Sequence, residues 1–163
     1  MIVRKLKILP VEAIVRGYLT GSAWKEYQKY GTVHGIRVPE GMRESEKFEE
    51  PLFTPSTKAE QGEHDENIHP EKVKEIIGEE LAGKVQRLAV ELYKEASRWA
   101  EGKGIVLADT KFEFGVDENG EVVLVDEVLT PGKPFIGRMP CPCTREHRTA
   151  LTSPAPQIRA DSG

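Results

Sequence analysis

The chain of 163 residues has almost no cysteine: only Cys141 and Cys143, two apart near its end. A pair that close makes a poor structural disulfide, and no second Cys/His pair completes a zinc site at the usual spacing. The Cys-Pro-Cys element therefore reads as accidental, and the compartment as cytoplasmic. No apolar run approaches the roughly 20 residues of a membrane span. The opening MIVRKLKILPVE lacks the long apolar centre of a signal peptide. Basic excess is also missing: 23 Lys and Arg stand against 27 Asp and Glu, a net charge of -4. That balance offers no basic face for nucleic acid. No internal repeat or low-complexity tract occurs.

What is present suffices for one domain, since 38% of residues are hydrophobic and that supports a core at this length. The charge is uneven. Residues 1–130 hold 18 basic and 25 acidic side chains, and residues 131–163 hold 5 and 2. The same last stretch carries 6 of the 11 prolines. It has neither strand nor helix periodicity, so residues 132–163 read as a disordered tail on a domain spanning 1–131.

Within the domain, IVRKLKIL at 2–9 predicts a strand closed by Pro10, and VEAIVR at 11–16 predicts a second. SAWKEYQKYG predicts a short helix with Ser22 as its N-cap. Residues 31–69, rich in Gly, Pro, Glu and Ser, predict a long irregular segment. Pro70 and Glu71 suit the first turn of a long helix. Its apolar stripe is Ile77, Leu81, Val85, Leu88, Leu92, Ala96 and Trp99, and it ends near Gly102 or Gly104. IVLAD at 105–109 starts another strand. The order β-β-loop-α-β-β predicts an α+β domain with an antiparallel sheet and a long helix.

DTKFEFGVDENGEVVLVDEVLTP, from Asp109 to Pro131, predicts a hairpin with carboxylates and a lysine inside its apolar pattern. With DENG at 117–120 as a four-residue turn, Val116 faces Glu121, Glu113 faces Leu124 and Lys111 faces Asp126. Alternation then puts Asp109, Lys111 and Glu113 on one face with Asp126. Phe112, Phe114, Val123 and Val125 take the core side. A turn one residue longer or shorter would send Asp126 to the core. Carboxylates on adjacent strands suit Mg²⁺, with Lys111 balancing a phosphate. The same pattern also suits a solvated face of cross-strand ion pairs.

VEAIVRGYLTGSAWKEY, PLFTPSTKAEQGEHDENI, LADTKFEFG and LVDEVLTP together resemble the SAICAR synthetase family, nearly continuously over residues 5–131. The resemblance implies an ATP- and Mg²⁺-dependent ligase of purine biosynthesis joining L-aspartate to carboxyaminoimidazole ribotide. It implies an ATP-grasp-like, kinase-related fold of two lobes, with this chain as the second lobe and the N-terminal lobe missing. Leu6 and Ile8, in the hinge strand, are then placed at the adenine. Lys58, Lys111, Glu113 and Asp126 are placed at the nucleotide, with Glu113 and Asp126 as Mg²⁺ ligands. Arg16, Ser22, Lys58 and Asp65 are placed at substrate, and Lys111 and Asp109 at the chemistry. His64 either orients a neighbour or is solvated. Past LTP the chain departs from the family, and Arg138 is the nearest stand-in for an arginine expected there. Small-molecule substrates are the implied partners, and a homo-oligomer is compatible with the resemblance. The competing readings are a non-catalytic fragment that binds nucleotide or ribotide, and a kinase-like phosphotransferase.

Overall fold

The computed structural model describes residues 5–58 and 66–126, together with the backbone of 136–138. In chain order the elements are β1 (Lys7–Tyr18), α1 (Gly21–Tyr30), β2 (Thr32–Val33), β3 (Ile36–Arg37), β4 (Lys47–Phe53), β5 (Ser56–Thr57), α2 (Pro70–Ile77), α3 (Glu79–Glu101), β6 (Ile105–Leu107), β7 (Asp109–Val116), β8 (Val122–Asp126) and β9 (Ile136–Arg138). The main sheet runs β4-β1-β7-β8, with β5 also paired to β1, and every pairing is antiparallel. This is the α+β architecture that the element order predicts.

Pro10 does not divide the first strand. β1 continues through it, and the pairing with β7 slips between Ile8 and Glu12. Proline has no N–H to give to a ladder, so it is tolerated where the ladder is already irregular. Its carbonyl still accepts the Lys58 N–H at 3.2 Å.

The predicted long helix is two. Gly78 adopts φ 87° and ψ 153°, closing α2 and opening α3. Only glycine enters that backbone region cheaply. Glu79 and Glu80 favour the positive end of α3, and Arg98 favours its last turn. The face that α3 buries is Ala82, Val85, Ala89, Tyr93, Ser97 and Ala100. Leu92 and Trp99, assigned to the core from their spacing, are 38% and 68% exposed. Small residues let the helix lie close to the sheet, and the larger side chains beside them stay at its margin.

Val11, Ala13, Val15, Phe112 and Phe114 meet α3 in one core cluster. Each buried Val or Phe contributes ~1.5–3 kcal/mol relative to exposure. A second cluster of Leu19, Ala23, Val33 and Phe48 anchors much of the segment expected to be irregular. The Tyr27 hydroxyl fastens it further, donating to the Pro39 carbonyl at 2.9 Å and accepting from the Met42 N–H at 3.0 Å. Thr20, not Ser22, occupies the N-cap of α1, without a side-chain cap bond.

Within the stretch expected to be tail, Ile136–Arg138 pairs with Ile105–Leu107. Strand pairing needs backbone groups and an open edge, not a periodic side-chain pattern. The domain boundary at 131, Asp65, His64 and the Cys-Pro-Cys element lie outside the described residues. No helix among the described residues is long and apolar enough to cross a membrane.

Candidate active site

The sheet face opposite α3 is built by alternation on β1 and β7. Register pairs Glu12 with Glu113, Ile14 with Lys111 and Arg16 with Asp109. Directly opposed residues share a face, so Asp109, Lys111 and Glu113 lie together as the alternation predicts. Three ion pairs lace them to β1 and to the residue just after β5. Arg16 Nη1 meets Asp109 at 2.9 Å, Lys111 Nζ meets Glu12 at 2.7 Å, and Lys58 Nζ meets Glu113 at 2.6 Å. The Ser56 hydroxyl donates to the other Glu12 oxygen at 3.0 Å.

Asp126 reaches this face by a different register from the one predicted. Val116 pairs with Val122, so the turn holds five residues, 117–121. The Asp117 carboxylate accepts the Asn119 and Glu121 N–H groups, each at 2.9 Å, and Gly120 takes φ 82°. That longer turn alone would send Asp126 to the core. A bulge corrects it: Phe114 pairs with Leu124, but Glu113 pairs with Asp126, and Val125 is the extra residue. Asp126 therefore opposes Glu113 rather than Lys111. Val122 and Leu124 pack on the core, where Val123 and Val125 were expected, and Val125 is 37% exposed.

Two carboxylates directly opposed repel unless a cation lies between or beside them. Lys58 supplies one such charge. Mg²⁺ usually takes one or two carboxylates plus phosphate oxygens and water, and Glu113 with Asp126 fits that requirement. Among the described residues no group of three or more His, Cys, Asp or Glu is arranged to hold a metal by itself.

Beside this pair lies an apolar strip. Ile8 pairs with Gly115 and is exposed, and Leu6 is half-buried. A Cβ on Gly115 would fall 3.0 Å from Val125 Cγ2, 3.1 Å from the Lys7 carbonyl and 3.3 Å from Leu6 Cβ. Leu6 and Ile8 thus border Gly115, two residues along β7 from Glu113 on the same face. Ser22 is exposed in the first turn of α1 and takes part in none of the face's ion pairs among the described residues.

Burial lowers the Arg16 guanidinium from its ordinary range, while Asp109 and Glu26 pull it back up. The Glu26 carboxylate, on α1, sits below its ordinary range. Burial acts to raise it, but the Gly35 and His34 N–H groups and the Thr32 hydroxyl outweigh that effect. Sequence reading missed Glu12, Ser56, Glu26 and His34. Glu12 had a signal: a carboxylate inside an apolar strand, four residues from Arg16 and so on its face. At 4% exposure it is too buried to be a solvated surface acid.

The described fold and its neighbours agree with known proteins. Residues 1–133 match the family model for SAICAR synthetase. The phosphoribosylaminoimidazole-succinocarboxamide synthase of Schizosaccharomyces pombe is 68% identical over 132 residues, which are 80% of this chain and 44% of that protein. That of Cyberlindnera jadinii is 63% identical over 131 residues, again 80% and 44%. A structure of SAICAR synthase from Saccharomyces cerevisiae complexed with SAICAR aligns with a TM-score of 0.76 and 55% identity, covering 82% of this chain and 43% of that one. A SAICAR synthetase in complex with ADP aligns with a TM-score of 0.63 and 29% identity, covering 77% and 48%. The chain spans less than half the length of these relatives. It belongs to the SAICAR synthetase family.

Proposed function

We propose that this chain carries the nucleotide- and ribotide-binding part of a ligase that joins L-aspartate to carboxyaminoimidazole ribotide, consuming ATP. The observation that carries the reading is the register pair Glu113–Asp126, flanked by Lys58 and Lys111, in a chain of this family. In this reading Glu113 and Asp126 hold Mg²⁺, which would supply positive charge to the nucleotide phosphates. Lys58 and Lys111 hold further fixed charge near the same phosphates. The apolar strip at Leu6 and Ile8 accepts the adenine ring.

Arg16 presents a planar fork to the ribotide, suited to phosphate or carboxylate. Asp109 orients that fork and lies toward the L-aspartate amine, with Ser22, Lys58 and Asp65 completing the substrate contacts. The ribotide carboxylate attacks the γ-phosphorus of ATP, releasing ADP and leaving an acyl phosphate. The amine then attacks the acyl carbon, loses a proton, and expels phosphate. Holding the reactants in register supplies much of the acceleration.

Glu113→Ala and Asp126→Ala should each weaken Mg·ADP binding by roughly tenfold or more while leaving the melting curve nearly in place. Calorimetric titration and thermal melting, run on the same samples, decide it. Unchanged affinity in both variants removes the metal assignment, and a large drop in melting temperature makes the residues structural.

A further inference from the structure

Two lysines stand at the carboxylates of the polar face, and they are held differently. Lys111 Nζ lies 2.7 Å from Glu12, whose other oxygen accepts the Ser56 hydroxyl at 3.0 Å. Glu12 is buried, so this pair is locked between β1, β5 and β7. Lys58 Nζ lies 2.6 Å from Glu113 Oε2, and the lysine side chain is 42% exposed against 14% for the carboxylate. The backbone of Lys58 is anchored, its N–H donating to the Pro10 carbonyl at 3.2 Å. Only its flexible stem need turn for the ammonium to leave Glu113.

Glu113 is also the carboxylate directly opposed to Asp126. Lys58 thus bonds an oxygen of one member of the pair read above as the Mg²⁺ site. An ammonium and a divalent ion on one carboxylate would lie well inside the ~8 Å over which salt screens charge. They repel, and the carboxylate satisfies either cation better alone than both together. Nucleotide phosphates change that balance. Their oxygens accept from a compact ammonium and also ligate Mg²⁺, so Lys58 can exchange Glu113 for phosphate without leaving the polar face.

We propose that Lys58 couples metal binding to nucleotide binding: its ammonium contests Glu113 with the divalent ion, and phosphate oxygens end the contest by accepting the ammonium. Metal alone is then held weakly, and metal with nucleotide is held as a set. Lys111, fastened to Glu12, stays in place throughout. The coupling rests on the Mg²⁺ reading of Glu113 and Asp126 given above.

Two measurements on the intact chain test it. The first titrates Mn²⁺ as the metal probe, without nucleotide, by water-proton relaxation. Lys58→Met keeps the length of the stem and removes the charge, and it should bind Mn²⁺ roughly tenfold more tightly than the natural chain. Affinity for ADP in the presence of Mg²⁺ should move the other way. Adding Glu113→Gln to Lys58→Met should abolish the gain in Mn²⁺ affinity, because the contest is over that carboxylate. Unchanged or weaker Mn²⁺ binding in Lys58→Met overturns the proposal. So does a gain that survives Glu113→Gln, which reports net charge alone. Metal binding that ignores Glu113→Gln both with and without ADP fails the Mg²⁺ reading, and the coupling falls with it. Metal binding that needs Glu113 but ignores Lys58→Met fails the coupling and leaves the Mg²⁺ reading standing.

The second measurement uses the natural chain, so no variant has to fold. Trace acetylation by a water-soluble reagent, mapped by mass spectrometry, reports how free each lysine amine is. Mg²⁺ at saturation should raise the labelling of Lys58 severalfold, and adding ADP should lower it again. Lys47, exposed and 2.6 Å from Glu101, is an ordinary ion pair and serves as the internal reference. Labelling of Lys58 that ignores Mg²⁺, or that only moves in step with Lys47, overturns the proposal.

Discussion

On β1 and β7, Val11, Ala13, Val15, Phe112 and Phe114 turn toward α3 and are at most 3% exposed. The residues between them, Glu12, Arg16, Lys111 and Glu113, turn the other way and pair with one another or with Asp109 and Lys58. The same two strands thus carry two kinds of interaction. On the apolar face the gain follows buried area and needs no particular partner. On the polar face every buried group must meet a specific complement or cost free energy. Stability should therefore respond mainly to one face and ligand binding mainly to the other.

The largest test is Phe112→Ala. It empties a 1% exposed site in the main cluster and should cost ~3–5 kcal/mol in urea unfolding. A loss under about 1 kcal/mol would be a surface-like value and would break the assignment of that face. Next is Gly17→Ala. A Cβ there would stand 1.9 Å from the Tyr93 hydroxyl oxygen, which is anchored on the Leu107 carbonyl at 2.5 Å. Overpacking of this kind costs ~1–3 kcal/mol, and chemical unfolding of the purified variant should show it. An unchanged midpoint would mean that Tyr93 moves freely, against its buried hydrogen bond.

Acid should act through two smaller steps. His34 is held below 6.5 in the fold, so the unfolded chain binds its proton first, and stability falls as pH drops below 6.5 toward the folded value. Glu26 is held below 4.5, so its contribution is present above 4.5 and is lost as pH falls through its folded value. Urea midpoints against pH should show both steps, with His34→Asn flattening the upper and Glu26→Gln the lower. A single step untouched by either variant would refute the assignment. The smallest stability effect belongs to Lys58→Ala. Its ion pair with Glu113 is 42% exposed on the lysine side, so its removal should cost no more than ~1 kcal/mol. Mg·ADP affinity should nevertheless fall, and a variant losing stability but not affinity would reverse the contrast between the faces.

Alternation alone was enough to place Asp109, Lys111 and Glu113 together, because a strand offers only two sides. The other expected site residues came from the family motifs as expectations, apart from Asp126, which the hairpin pattern also placed on that face. Three features were hidden for physical reasons. Pro10 reads locally as a strand end, and only the irregular pairing with β7 lets it stay inside β1. Gly78 reads as a weak helix position, while its positive φ makes it a boundary. His34 carries no signal at all, since its burial depends on Glu26, eight residues earlier, folding back onto the turn. The long stripe of α3 misled at Leu92 and Trp99 because large residues at helical spacing look like a core even when smaller neighbours make the contact.

The bulge at Val125 ties the carboxylate pair to the short run between Leu124 and Asp126 and leaves the tip free to vary. A deletion from 117–121 that the tip absorbs keeps Val122 opposite Val116 and Asp126 opposite Glu113. Removing Val125 also keeps the pair, because Asp126 then follows Leu124 directly in the ladder. Drawing Val125 into regular pairing does not: Asp126 would move opposite Phe112, through the sheet to the core side. Natural or engineered changes in the tip should therefore be tolerated, whereas an insertion beside Val125 that regularises the strand should disable the carboxylate pair although every residue of that pair is still in the chain.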